Sequence, residues 1–180
     1  MEQMNDLRAL LMHDIQMLYS AEKQIIEAMP AMIDQAQNPM LKQALEEHLV
    51  ATKTHQERLD GIRQTLGIDE NAVTNYSGIL ANLMGGTTCK GMEGIIDEGQ
   101  KVMAENLSPE VMDAAIIGSN QKVEHFEIAA YGTVRSYAEQ LGLMEIAALL
   151  QQTLDEEYAA DKKLTSLAMT TVNQEAEMNH

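Results

Sequence analysis

The sequence predicts an all-α protein, a four-helix bundle with one long crossover between its second and third helices. Apolar residues recur at helical spacing in four long segments, and stop and start signals join these segments into two tight hairpins. The composition agrees. With 3% aromatic residues, one Phe, no Trp and 14 Met, the core must be built from Leu, Ile, Met and Ala, a set that favours helices. At 180 residues the chain is expected to form a single domain with a sizeable core of its own.

The first helix is marked by Leu7, Leu11, Ile15, Leu18, Ile25, Met29 and Ile33, which fall near one stripe. Pro30 removes a backbone donor inside it, so a kink near Met29 or an early stop is expected. Asn38-Pro39 reads as an N-cap followed by proline at the first helical position. The second helix starts there, carries Leu41, Leu45, Leu59, Ile62 and Leu66 on one seam, and ends at Gly67 as C-cap. This first hairpin covers 3–66.

Residues 67–107 change character and form the crossover. Gly85-Gly86 and Thr87-Thr88 interrupt it, Tyr76, Ile79, Leu80, Leu83 and Met84 could pack locally, and a short helix is expected over Met92–Glu105 with Ile95, Ile96, Val102 and Met103 as its apolar side. Ser108-Pro109 repeats the cap-plus-proline signal. The third long helix follows on Met112, Ile116, Val123, Ala130, Val134 and Tyr137 to a turn at Leu141-Gly142, and the fourth runs from about Met144 to about Val172 on Ile146, Leu150, Leu154, Leu164 and Ala168. That second hairpin covers 109–172, and the polar end 173–180 is expected to fray. Helices near 30 residues are about 45 Å long at ~1.5 Å per residue and pack side by side. Hairpin, long crossover, hairpin is the ferritin-like connectivity.

Twenty-eight acidic residues against 12 basic ones give a formal charge of −16. Such a surface repels phosphate backbones and anionic lipid alike, which argues against nucleic acid and membrane as partners. No apolar stretch approaches the ~20 residues that span a bilayer. Cys89 is the single cysteine, so no internal disulfide can form, and Met1–Leu11 has neither a basic flank nor a long apolar run; the expected location is the cytoplasm.

Chemistry is to be sought where charged or imidazole groups occupy positions that the helical period assigns to the core. Glu22 lies between Leu18 and Ile25 on the first helix. On the second, His48, Thr52 and His55 stand in line with Leu41, Leu45 and Leu59. The third carries Glu127 between Val123 and Ala130, with Glu124 on its flank, and the fourth carries Glu157 and Asp161 between Leu154 and Leu164. Residues equidistant from a hairpin turn share a height. With a turn near Gln37, Glu22 comes level with about Thr52, within a helical turn of His55; with a turn near Leu141-Gly142, Glu127 comes level with Glu156 or Glu157.

Carboxylates gathered in a low-dielectric core need compensation, because burying an isolated charge is very costly. One or two iron or manganese ions would supply it, oxygen and imidazole nitrogen being suitable donors, and open coordination positions could take dioxygen or peroxide. If the protein is an enzyme, it is then a metal-dependent oxidoreductase acting on oxygen or peroxide. The competing expectation is a metal-free polar core, hydrogen-bonded internally and to water, that only fixes helix register. A lone histidine such as His48 is more often a hydrogen-bonded core residue than a ligand. His125 falls off the seam, His13 has little support as a ligand, and His180, in the string Glu177-Met-Asn-His180, belongs to the tail. Cys89 reads equally as a packing residue beside Lys90 or a reactive thiol, and the methionines read as core filler.

The strings Tyr19-Ser-Ala-Glu-Lys-Gln24, Cys89-Lys-Gly-Met-Glu-Gly94, Val123-Glu-His-Phe-Glu-Ile-Ala-Ala-Tyr-Gly132 and Thr153-Leu-Asp-Glu-Glu157 resemble the YciE/YciF-like bacterial stress proteins along nearly the whole chain. This resemblance implies a ferritin-like fold related to rubrerythrin, a homodimer and a part in stress responses. Ferritin-like di-iron proteins pair one Glu per hairpin with a Glu-x-x-His on the partner helix. Glu22 and Glu127 suit the lone-glutamate roles and Glu157 that of the fourth helix. Yet Thr52 stands three residues before His55, Leu45 three before His48 and Ala160 three after Glu157, so no in-register Glu-x-x-His exists. Relatives carry a glutamate near the place of Val50, which implies a ligand lost from the second helix. The expected metal set is therefore Glu22, Glu127 and Glu157 with His55 and His48, and Glu124 and Asp161 in bridging or supporting positions. A shell of many subunits that stores iron is neither supported nor excluded.

Overall fold

The computed structural model describes residues 6–68 and 88–178. The expectations for residues 3–5, for the crossover from Tyr76 to Thr87 and for His180 lie outside the described residues. Helix α1 spans Leu7–Gln35 behind Asp6, whose side chain accepts from the Ala9 N–H at 2.8 Å. It does not stop at Pro30, which sits exposed on the helix, where water can replace the missing donor. Asn38 caps α2, Pro39–Leu66, by accepting from the Met40 and Leu41 N–H groups at 3.0 and 3.2 Å. The turn between α1 and α2 is pinned from outside the hairpin: the N–H groups of Gln37 and Asn38 each donate at 2.8 Å to the buried carboxylate of Asp113.

Gly67 ends α2 with φ 74°, as the sequence predicts, and Gly142 makes the second turn with φ 71°; both backbones lie in the left-handed region that a side chain would strain. Helix α3 covers Lys90–Met103, α4 Pro109–Gln140 and α5 Met144–Leu167. Met92, Ile96, Gly99 and Met103 form the buried side of α3, whereas Val102, expected inside, is 40% exposed. Two glycines set that orientation by letting α3 lie close on α4. A Cβ at Gly91 would meet the Phe126 ring at 2.8 Å, and one at Gly99 the Ser119 side chain at 3.2 Å.

The end of the chain also departs from expectation. A π-helical turn, Ala168–Val172, leads into a further helix α6, Asn173–Met178. Ala168 and Val172 are buried and hold the chain to the bundle up to the residue before α6, which packs along α4 although none of its own residues is buried.

In the bundle α1 packs on α2 and α4, α5 packs on α4 and α2, and α3 lies across α1 and α4. The apolar core comes in two parts. One, around Ile25, Met29, Leu41, Leu45, Ile116 and Ile117, fills the end next to the α1–α2 turn. The other, around Leu11, Ile15, Leu59, Ile62, Val134, Ile146 and Leu150, fills the opposite end. Each buried Leu or Ile contributes about 1.5–3 kcal/mol, and these two halves sandwich a polar layer at mid-height. No helix among the described residues is long and apolar enough to cross a membrane.

Candidate metal centre

The polar layer is assembled from four helices. Glu22 comes from α1, His48, Thr52 and His55 from α2, Glu124 and Glu127 from α4, and Glu157 from α5; the four glutamates are 0% exposed, His55 1% and His48 9%. Their ligating atoms fall into two groups, His48 with Glu124, Glu127 and Glu157, and Glu22 with His55 and Glu157. Within each group those atoms lie within 4.8 Å of one another. Glu157 belongs to both, at the junction of the hairpins.

These atoms converge to ion-pair distances. His48 Nε2 is 3.1 Å from Glu124 Oε1, and His55 Nδ1 is 2.8 Å from Glu157 Oε1 and 3.8 Å from Glu22 Oε1. None of these contacts has the alignment of a hydrogen bond. With every carboxyl ionised, both oxygens of Glu124, Glu127 and Glu157, Glu22 Oε2, His48 Nε2 and His55 Nδ1 have no hydrogen-bond partner. Buried polar atoms without partners are rare and each costs about 1–3 kcal/mol. A concentration of them at one height fits a cation, and the donor set of carboxylate oxygen and imidazole nitrogen fits a first-row divalent ion.

The far sides of two of these groups are well supported. Tyr131, itself fully buried, donates its hydroxyl to Glu22 Oε1. His55 Nε2 lies 2.8 Å from Glu156 Oε2, and Arg58 donates to that carboxylate at 3.0 and 3.3 Å and to the Thr153 hydroxyl. When the imidazole is neutral, a proton on Nε2 toward Glu156 leaves the Nδ1 lone pair facing the layer, the carboxylate–histidine arrangement that orients metal-binding imidazoles. His48 is anchored mainly through its backbone carbonyl, which accepts from Thr52 Oγ1 at 2.8 Å.

Burial, and then the charge of Glu157, pushes Glu22 up to about 8 and Glu124 up to about 10, and the same causes raise Glu127 well above the carboxylate range. Glu157 is the exception. Burial would raise it, but the adjoining His55 and the charge of His48 hold it low. Burial lowers His48; for His55 burial is outweighed by Glu157, Glu22 and Glu156, and the net direction is up. Without a cation, therefore, protons occupy Glu22, Glu124 and Glu127, and Glu157 remains the ionised member.

Of the residues expected from sequence, Glu22, His48, His55, Glu124, Glu127 and Glu157 are brought together, and Glu124 is a full member of the layer. Asp161 is not. It turns aside to accept from Gln121 Nε2 at 3.1 Å, with the exposed His125 at 3.3 Å. Asp161 shares the i+4 spacing of Glu157 but is drawn to Gln121 and His125 on the neighbouring helix instead of into the layer. Val50 is 65% exposed and a glutamate there would face solvent. His13 pairs with Asp14 at 2.8 Å, and Cys89 is a buried residue whose N–H donates to Ser20 Oγ at 3.0 Å. Tyr131, Glu156 and Arg58 were not singled out by the stripes; Tyr131 follows Glu127 by four residues, the one local sign that it shares that face.

A bundle of two hairpins joined by a long crossover, with a buried layer of glutamates and histidines between them, is a ferritin-like protein. The chain matches the family described as Domain of unknown function (DUF892) over residues 6–85 and 79–177. It is 40% identical to Protein YciF of Escherichia coli (strain K12) over 174 residues, 97% of either chain. The crystal structure of the E. coli stress protein YciF superposes with a TM-score of 0.80, covering 94% of this chain and 99% of that one at 37% identity. YcfI from Rhodopseudomonas palustris also gives 0.80, with 91% and 96% covered at 37% identity. A protein of Xanthomonas campestris pv. campestris, 21% identical with a TM-score of 0.70 over 96% of this chain and 98% of that one, shares the fold. The chain belongs to the DUF892 family of YciF-like stress proteins.

Proposed function

We propose that this protein binds one or two iron or manganese ions in its polar layer and that the centre reacts with dioxygen or peroxide in a bacterial stress response. The observation that carries this reading is the convergence of unpartnered, buried acceptor atoms on both sides of Glu157. Glu157 would be shared, with His48, Glu124 and Glu127 on one side and Glu22 and His55 on the other. Iron or manganese held there would supply redox chemistry toward oxygen or peroxide. The chain's own residues do the rest: Glu156 and Arg58 orient His55, and Tyr131 orients Glu22. The resemblance to YciE/YciF-like proteins supports a homodimer, and the solitary Cys89 suits the reducing cytoplasm.

A second reading is favoured by the proton distribution. Protons on Glu22, Glu124 and Glu127 beside an ionised Glu157 next to His55 could stabilise the layer without metal, leaving a non-catalytic helical dimer that acts as a structural or partner-binding stress factor. Elemental analysis decides between the two. Protein expressed with added metal and purified without chelator should carry iron or manganese, and Glu22→Ala or Glu127→Ala should lose it while keeping the helical circular dichroism of the parent. Finding no iron, manganese or zinc in the parent protein leaves the second reading.

A further inference from the structure

The polar layer borders a cavity that opens to the surface. A cavity of about 200 Å3 opens between α2 and α5, walled by Ala51 and Ala160 and closed at its inner end by His48 and Glu124. At its mouth Lys163 Nζ lies 2.5 Å from Glu47 Oε2, both side chains about half exposed. The opposite seam, between α1 and α4, is covered by α3.

We propose that this cavity is the port through which a divalent cation reaches the layer, with the Glu47–Lys163 pair as its gate; the proposal rests on the metal reading above. Three features point to a cation. The inner end presents unpartnered acceptors, the Glu124 oxygens and His48 Nε2, which are buried and line the cavity. The space holds several waters, enough for a small ion that keeps much of its hydration shell while it exchanges water for protein ligands. Ala44, Ala51, Ala159 and Ala160 put little side-chain bulk along the walls, and Glu156, also on the lining, adds an acidic group between the mouth and the layer. Glu47 attracts a cation at the mouth, Lys163 offsets that attraction, and an exposed pair of this kind opens readily.

Uptake of Co2+ by the metal-free full-length protein, followed by its visible absorption, tests this. Ala51→Leu and Ala160→Leu fill the cavity from outside the ligand set. Each should slow uptake about tenfold, the scale of a barrier raised by ~1.4 kcal/mol, with the final amount bound unchanged. Lys163→Gln should speed uptake at low ionic strength and lose that advantage in salt, since the effect is one of screened charge. Opposite signs separate a port from mere loosening of the bundle, which would quicken uptake in all three variants. Wild-type uptake rates in the filled variants overturn the port alone. A parent protein that binds no Co2+ overturns the port and the metal reading together.

Discussion

The two sides of Glu157 differ in how their ligating atoms are held. On the Glu22–His55 side each group has a buried or clamped partner behind it, Tyr131 for Glu22 and the Glu156–Arg58 pair for His55. On the His48–Glu124 side neither oxygen of Glu124 is hydrogen-bonded, and a cavity leads to solvent. One side is pre-organised by its supports; the other is adjustable and borders the cavity. In a site that must hold an ion and also exchange ligands, such an asymmetry divides the work: fixed donors give affinity, and loosely held ones give access.

Glu157→Gln should have the largest effect, because that carboxylate serves both sides. Removing an ionised ligand exceeds the ~10–100-fold loss typical of supporting residues, so metal affinity measured by competition titration should fall by more than about 100-fold. Retention of parental affinity would mean that the two groups do not share this residue.

Metal removal should reverse the dependence of stability on pH. Glu22, raised to about 8, and Glu124, raised to about 10, bind protons more tightly folded than unfolded. Their contribution is complete below the ordinary value of 4.5 and is lost as pH climbs toward the folded values; Glu127 acts in the same direction. His55, raised, and His48, lowered, oppose each other, and the benefit of the depressed Glu157 is gained at lower pH. Metal-free protein should thus lose stability to urea between about pH 6 and about pH 8, whereas metal-loaded protein, in which a cation has displaced the protons, should gain it. Parallel slopes in the two forms would place the ion elsewhere.

Supporting residues come next. Glu156→Gln should weaken metal binding by roughly 10–100-fold, through His55 alone. Tyr131→Phe should be the smallest change, lowering stability by about 1–3 kcal/mol because Glu22 Oε1 loses its buried donor, with little effect on the cavity side. A larger loss of metal in Tyr131→Phe than in Glu156→Gln would invert the ranking of the two supports.

Much of this was legible in local signals. Asn38-Pro39, Ser108-Pro109, Gly67 and Gly142 set the hairpin turns because each meets a backbone requirement with its own side chain or its lack of one. Counting outward from those turns was enough to bring Glu22 to His55 and Glu127 to Glu157. The rotation of each helix about its axis was less legible. Glu124 stands on the flank of its stripe and Asp161 on its seam, and which of them turns inward depends on where the neighbouring helix lies: Glu124 faces α2, whereas Asp161 turns to Gln121. The supports of His55 and Glu22 bridge the two hairpins, so no spacing within one helix reveals them. Helix α6 was missed for a related reason, since its polar composition carries no stripe and its attachment comes from Ala168 and Val172 before it.

Anomalous diffraction from crystals of metal-loaded protein, with data on both sides of the iron or manganese absorption edge, tests the polar layer most directly. Peaks beside Glu157, toward His48, Glu124 and Glu127 or toward Glu22 and His55, are expected. A map with no peak in the layer, or with its signal at exposed pairs such as His125 and Asp161, would show that the buried glutamates hold protons and not metal.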